Sequence, residues 1–117
     1  MRIWTAAVLL MVFAAACAPR MAIESRSANG LHATAESAFR ARDYPEAMRL
    51  YQGYLRQYPQ GPHTTAVLMR IAEIQMAEGR YEAARNTYRR LMDRFPDNGL
   101  VPDAAVGVLK SFYASGQ

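Results

Sequence analysis

A repeat with a fixed offset constrains the fold of this chain more than any other sequence feature. Residues 43–47 resemble residues 80–84, and Tyr44 and Tyr81 occupy equivalent positions 37 residues apart. Later aromatic residues and prolines recur at the same offset, in the pairs Tyr51 and Tyr88, Tyr58 and Phe95, and Pro59 and Pro96. A period between about 20 and 50 residues is typical of arrays in which each repeat buries its apolar face against a neighbour. The period therefore predicts a repeat array.

The first 16 residues have the composition of a secretory signal peptide. Arg2 provides a positive start, residues 3–13 are almost wholly apolar, and residues 14–16 are alanines. The apolar run ends near Pro19, which makes it shorter than the roughly 20 residues that a membrane-spanning helix needs. We therefore predict a signal peptide over residues 1–16, cleaved between Ala16 and Cys17.

Cys17 is the only cysteine of the chain, so a disulfide within the chain is excluded. Residues 13–17 resemble the lipobox of bacterial lipoproteins, with Ala14 where leucine is usual. The resemblance implies a lipidated Cys17 that anchors the protein to a membrane. Because Ala18 and not aspartate follows, the resemblance to enteric lipoproteins also implies the outer membrane, on its periplasmic side. The alternative is a plain secreted protein whose first residue is cysteine.

The rest of the chain divides into a short tether and one folded domain. Residues 17–30 carry few large apolar side chains and no sustained period, so we predict a lipidated, flexible tether. Residues 31–117 show apolar residues at helical spacing in five segments, and no segment alternates as a half-buried strand does. The sequence therefore predicts an all-α fold of five helices in the order A-B-A-B-A.

Local signals predict where these helices begin and end. Helix A1 starts at Leu31. Helix B1 starts after Asp43, with Glu46 completing a capping box, and stops near Pro59; helix A2 starts at a Thr64 or Thr65 cap and ends at Gly79. Helix B2 runs from about Tyr81 to Phe95, and helix A3 begins at Pro102 and reaches about Ala114.

The two repeats resemble the tetratricopeptide repeat. The matching positions are the pairs Ala35 and Ala72, Tyr44 and Tyr81, Ala47 and Ala84, Tyr51 and Tyr88, and Pro59 and Pro96. The resemblance implies helical hairpins that stack into a short right-handed α-solenoid, with repeats at about 31–63 and 64–100 and a partial repeat at 101–117. The usual period is about 34 residues, and we expect the extra residues around positions 60–63.

Long repeats behind a lipidated signal peptide also resemble the lipoproteins of the outer-membrane β-barrel assembly machine and the Tol-Pal coordinator group. That resemblance implies a non-catalytic scaffold at the outer membrane whose partners are other envelope proteins or peptides. Two further hypotheses stay open: a pilotin-like accessory lipoprotein of a pilus or secretion system, and a regulatory subunit of a periplasmic enzyme.

The sequence contains no residue set with the spacing of a catalytic, metal or cofactor site. His32 and His63 lie on different elements, with no cysteine or paired carboxylate at ligand spacing, and no Gly-rich phosphate loop or nucleophile elbow is present. We therefore predict no catalytic residue, no metal and no cofactor.

Charge does not indicate a nucleic-acid partner. The net charge is only +4, and the arginines of helix B2 have carboxylates at pairing distance along the helix, Glu82 for Arg85 and Asp93 for Arg89. We therefore expect a solvated helix face there.

The A helices of the repeat family line its concave surface, which predicts a partner groove between A1 and A2. An extended or helical peptide would suit its mixture of charged and apolar side chains. The alternative is that these residues are simply the solvated side of two helices. The predicted groove residues are His32, Glu36, Phe39 and Arg40 of A1 and Met69, Arg70, Glu73 and Met76 of A2.

The third repeat contains an A helix without its B helix. Terminal repeats normally present a polar outer face, yet Val106, Leu109, Phe112 and Tyr113 leave A3 apolar on more than one side. We predict a terminal docking face from these four residues. Two explanations stay open. Either the sequence is a truncated form of a longer array, or this end docks onto a second copy, as a homodimer through the C-terminal helix, or onto a different protein.

Overall fold

The computed structural model of the chain describes residues 27–117, and this part contains five α-helices and no strand. They are α1 (Ala28–Arg40), α2 (Tyr44–Gln57), α3 (Thr64–Ala77), α4 (Tyr81–Arg94) and α5 (Val101–Ala114). The predicted all-α fold with an A-B-A-B-A order is confirmed. None of the helices within residues 27–117 has the length and apolar character needed to cross a membrane. The predicted signal peptide, Cys17 and residues 17–26 of the predicted tether lie outside the described residues.

The first helix begins three residues before the predicted Leu31, so residues 28–30 are helical and do not belong to a tether. Ser27 is the N-cap, and its hydroxyl accepts a hydrogen bond from the Gly30 N–H at 3.0 Å. This bond satisfies one of the free N–H groups of the first turn and offsets the poor helix propensity of asparagine and glycine there. Ala28 and Leu31 also pack against the core, which gives the added turn an apolar contact.

Each A helix ends in the same turn, repeated at the 37-residue period. The second residue after the helix has a positive φ, and two backbone N–H groups reach back to carbonyls of the last turn. After α3, for example, Gly79 donates to Met76 at 3.1 Å and Arg80 donates to Gln75 at 2.8 Å. Glycine adopts this conformation at little cost, and it closes helices in this way very often. The positive-φ residues are Arg42, Gly79 and Gly116, at 59°, 73° and 77°.

The predicted cap of α2 is half formed. Asp43 accepts a hydrogen bond from the Glu46 N–H at 3.3 Å, as expected for an N-cap. Glu46 does not complete the capping box, because its carboxylate accepts two hydrogen bonds from Arg49 on the solvent side of the helix.

The start of α3 is capped differently from the prediction. His63 is the N-cap residue, and neither Thr64 nor Thr65 serves as the cap. The buried Thr64 hydroxyl instead donates to the Tyr58 carbonyl at 2.6 Å and accepts from the Gly61 N–H at 2.8 Å. Thr64 therefore stabilises the turn between the two hairpins, where the extra residues of the long repeat were expected.

The apolar core consists of two clusters that share α3. The first joins α1, α2 and α3, and its buried members are Ala35, Ala47, Tyr51, Tyr54, Val67, Ile71 and Ile74. The second joins α3, α4 and α5, and its buried members are Leu68, Ala72, Ala84, Tyr88, Leu91 and Ala104. Such a divided core is what a repeat array produces, because each repeat packs only on its neighbours.

Small residues allow α5 to lie close to α4. Ala104, Gly107 and Ser111 form its buried face, and a Cβ atom added at Gly107 would lie 2.4 Å from Cζ of the Tyr88 ring. Any larger side chain at position 107 would therefore push against the ring that fills the gap between α4 and α5.

We expect Gly107→Ala to lower the free energy of unfolding by about 1 kcal/mol or more. Overpacking costs about 1–3 kcal/mol and exceeds the roughly 0.5–1 kcal/mol that alanine gains over glycine inside a helix. Gly53→Ala in α2 is the matched control, because its new Cβ meets only Arg56 Nη2 at 3.7 Å, and it should be stabilising. Urea denaturation measures both variants. Equal stabilisation by the two substitutions would contradict the close packing at Tyr88.

Candidate partner-binding site

The A helices α1, α3 and α5 border a cleft of about 340 Å³. Five of the eight predicted groove residues line it: His32, Glu36, Met69, Arg70 and Glu73. The structure adds three lining residues that sequence analysis missed, namely Ala66, Leu100 and Asp103. The cleft therefore spans all three repeats, whereas the predicted groove involved only the first two.

The other three predicted groove residues lie elsewhere. The Phe39 ring lies beneath the guanidinium of Arg70, whose Cζ is 4.3 Å from the ring centroid. Arg40 is exposed at the end of α1, where its Nε donates to the Glu36 carbonyl at 3.4 Å. Met76 packs against the second core cluster. Phe39 thus supports the cleft from below, and the other two residues are outside it.

Arg70 organises the charged wall of the cleft. Its Nε and Nη2 donate to the two carboxylate oxygens of Glu36 at 3.0 and 3.1 Å, and its Nη1 donates to Glu73 at 2.9 Å. A bidentate guanidinium–carboxylate pair has defined geometry as well as charge complementarity. Because all three nitrogens already have carboxylate partners and the guanidinium lies over Phe39, Arg70 is held in place and is not free to capture a partner's carboxylate.

A buried tyrosine connects this ion pair to the core. Tyr51, fully buried in the first cluster, donates its hydroxyl proton to Glu36 at 2.5 Å. Burial raises the pKa of the Glu36 carboxyl, but the hydrogen bonds from Arg70 and Tyr51 outweigh that effect and hold its pKa below the usual value. Burial, followed by the neighbouring Glu36 carboxylate, raises the pKa of Tyr51. Near neutral pH Glu36 is therefore ionised and Tyr51 is a proton donor.

Two histidines stack at the end of the cleft nearest the turn between the hairpins. The rings of His32 and His63 are 4.1 Å apart and nearly parallel, and His63 Nε2 lies 2.7 Å from Asn29 Oδ1. The sequence placed these histidines on separate elements, and it is the turn before α3 that brings His63 against α1. Burial, and then the proximity of His63, lowers the pKa of His32, so that His32 is neutral near pH 7.

The cleft carries an excess of negative charge, although the chain as a whole is at +4. Glu36, Glu73 and Asp103 contribute three carboxylates, against the single guanidinium of Arg70. Within residues 27–117, no three His, Cys, Asp or Glu side chains are placed so that they could hold a metal ion. The arrangement offers fixed hydrogen-bond acceptors and an apolar wall to another molecule.

The predicted terminal docking face is only partly formed. Val106, Leu109 and Tyr113 are 47%, 69% and 90% exposed. Phe112 does not belong to this face, because its ring packs under the guanidinium of Arg85 at 4.4 Å and is half-buried. The small buried residues of α5 determine which face of the helix packs against the array, and this rotation of the helix directs Phe112 toward α4.

Arg85 also differs from its predicted role on a solvated helix face. The residue is buried, and its Nη1 donates to the hydroxyls of Ser111 and Ser115 at 3.5 and 3.4 Å. In the described part of the chain it forms no ion pair with Glu82. The Arg85 side chain therefore packs under α5, whereas Arg89, Arg90 and Arg94 are exposed.

The comparison with known families agrees with this architecture. A family model described as tetratricopeptide repeat matches residues 38–106, which is more than half of the chain. The chain therefore belongs to the tetratricopeptide-repeat family, whose repeats generally mediate protein–protein interaction and are typically non-catalytic. No curated protein and no solved structure matches the chain.

We expect Arg70→Lys to lower the free energy of unfolding by about 1–2 kcal/mol, because a lysine cannot bond Glu36 through both oxygens while it contacts Glu73 and Phe39. Arg49→Lys is the matched control. Arg49 also pairs with a glutamate through two hydrogen bonds, but on the exposed face of α2. Its replacement should leave stability almost unchanged, because an exposed ion pair contributes little. Chemical denaturation that shows equal, small effects would contradict the structural role of Arg70.

Proposed function

We propose that the cleft between α1, α3 and α5 binds a segment of a partner protein that carries a cationic side chain, without turnover. The observation that carries this proposal is the fixed pair of carboxylates, Glu36 and Glu73, held by Arg70 at the wall of the cleft. Fixed acceptors lose little conformational entropy on binding, so they bind a partner at a lower cost than mobile surface carboxylates do.

The remaining wall of the cleft defines the rest of the partner segment. Met69, Ala66 and Leu100 give it apolar surface, and methionine adapts its shape to different side chains. Arg70 already has its carboxylate partners, so an acidic partner would have to displace Glu36 or Glu73. These properties favour an extended or helical segment with lysine or arginine beside an apolar residue.

We further propose that the protein is a lipoprotein of the bacterial outer membrane, on the periplasmic side, and a scaffold in envelope or outer-membrane protein assembly. The support comes from the sequence: residues 13–17 resemble a lipobox, Cys17 is the only thiol, and Ala18 follows it. A lipid anchor would hold the cleft near the membrane at which its partners assemble.

The binding proposal predicts a crosslink from within the cleft. A photoreactive amino acid at Met69 of the full chain should crosslink a partner in cells, and the same amino acid at the exposed Arg56 of α2 should not. Glu73→Gln, which keeps an acceptor for Arg70 but removes the charge, should weaken capture about tenfold, or roughly 1.4 kcal/mol. The matched control is Glu82→Gln on the exposed side of α4.

Equal crosslinking from positions 69 and 56, or unchanged capture by Glu73→Gln, would contradict the cleft as the binding site. Mass spectrometry of the captured protein also discriminates between the open hypotheses. A barrel-assembly component supports the proposed role, whereas a pilus or secretion channel subunit, or a periplasmic enzyme, would replace it.

The anchor proposal predicts that radiolabelled palmitate appears on the wild-type chain and is absent from Cys17→Ser. The labelled protein should fractionate with outer membranes, and the variant should not. Because the chain has no second cysteine, loss of label cannot reflect another thiol. An unlabelled wild type, or a labelled variant, would show that Cys17 is not the lipid attachment site.

A further inference from the structure

The exposed apolar face of α5 forms one narrow stripe. At 3.6 residues per turn, Val106, Leu109 and Tyr113 lie within an arc of about 60°. The stripe is opposite to Ala104 and Ser111, which are buried against the rest of the array. One helix therefore has two faces for packing, and the described part of the chain covers only one of them.

The stripe differs from the equivalent positions of the two complete repeats. Leu109 is equivalent to Ala72 and, one repeat earlier, to Ala35, both of which are fully buried in the core clusters. Alanine there allows the two helices of a hairpin to approach closely. Leucine at the same position in α5 holds a covering helix farther away, so the stripe is not built for the close hairpin packing of the complete repeats.

The spacing of the stripe is that of a seam between two paired helices. Val106 and Tyr113 are seven residues apart with Leu109 between them, the pattern by which helices pack knobs into holes. Asp103 and Lys110 are also seven residues apart, and both flank the stripe on the same side. Charged residues in flanking positions of this kind set the partner and the orientation of a helix pair.

We propose that α5 pairs with α5 of a second copy of the chain, antiparallel and about a two-fold axis. In an antiparallel pair the same flank of each helix faces its counterpart, so that Asp103 of each copy meets Lys110 of the other, twice. A parallel pair would instead set this flank against the opposite one, which carries Ala105 and Phe112 and no charge. Charge complementarity therefore selects both the partner and its direction.

Both charged side chains are available for this pairing. Asp103 and Lys110 are exposed, and within residues 27–117 neither has an ion-pair partner. Seven residues along a helix correspond to about 10 Å, so the two cannot pair within one copy. A single pair of helices of this length gives an interface at the small end of the range for specific complexes, and the dimer is accordingly reversible.

Charge exchange tests the proposal without touching the buried face. Sedimentation equilibrium of the full chain in density-matched detergent micelles should show a reversible dimer. Lys110→Asp and Asp103→Lys should each weaken it at least tenfold, because like charges then meet twice. The double exchange should restore affinity to near wild type. Arg90→Asp, on the exposed side of α4, is the control and should leave the dimer unchanged.

Failure of the double exchange to restore the dimer, or a wild type that stays monomeric up to its solubility limit, would overturn the proposal. Asp103 also lines the partner cleft, so the two proposals are separated by variants at other positions. Glu73→Gln should alter partner capture without changing dimer affinity, whereas Lys110→Asp should weaken the dimer.

A zero-length crosslink gives a second, direct test. Lys110 is the only lysine of the chain, so a carbodiimide can join its side-chain amine to a carboxylate in contact with it. Mixing isotopically light and heavy copies should yield an Asp103–Lys110 peptide of mixed isotope content, identified by mass spectrometry and lost in Asp103→Asn. Its absence, or amide bonds from Lys110 only to other carboxylates, would contradict the antiparallel pair.

Discussion

The fold depends on a single helix, α3, that buries side chains in two directions. Val67, Ile71 and Ile74 belong to the first core cluster, whereas Leu68 and Ala72 belong to the second. No other described helix contributes buried side chains to both clusters, so α3 joins the two hairpins into one array. The dependence is physical, because a short helical hairpin cannot remove enough apolar surface from water on its own. The same helix also contributes Met69, Arg70 and Glu73 to the cleft.

The residues of the candidate site therefore also contribute to the packing of the fold. The ion pair between Glu36 and Arg70 joins α1 to α3 directly, and Tyr51 connects that pair to the buried core beneath it. Removing one member of such a network leaves the other charge poorly compensated, which costs more than a surface ion pair contributes. Glu36 and Glu73, the carboxylates of the proposed binding cleft, are held in position by interactions that also align the first two repeats. The proposed recognition and the stability of the fold consequently depend on the same residues.

Much of this architecture could be predicted from the sequence, because the 37-residue period relates side chains of equal role. Tyr51 and Tyr88 are both buried, as their equivalence requires. The predictions failed where periodicity carries no information. The stacking of His63 on His32 depends on the path of a nonrepetitive turn, and the orientation of Phe112 depends on which face of α5 approaches α4. Gly107 and Ser111 determine that face, and small buried residues are a weak signal beside large apolar ones.

The divided core also has a consequence for how the molecule opens. Since α1 contributes only to the first cluster and α5 only to the second, either end helix can detach without disrupting the other cluster. The central helix loses its packing only when both clusters are lost, so amide hydrogens should exchange most slowly in α3. The cleft requires α1, α3 and α5 together, and its lifetime is set by whichever end helix detaches first. A ligand that bridges the two ends would therefore slow exchange in both of them.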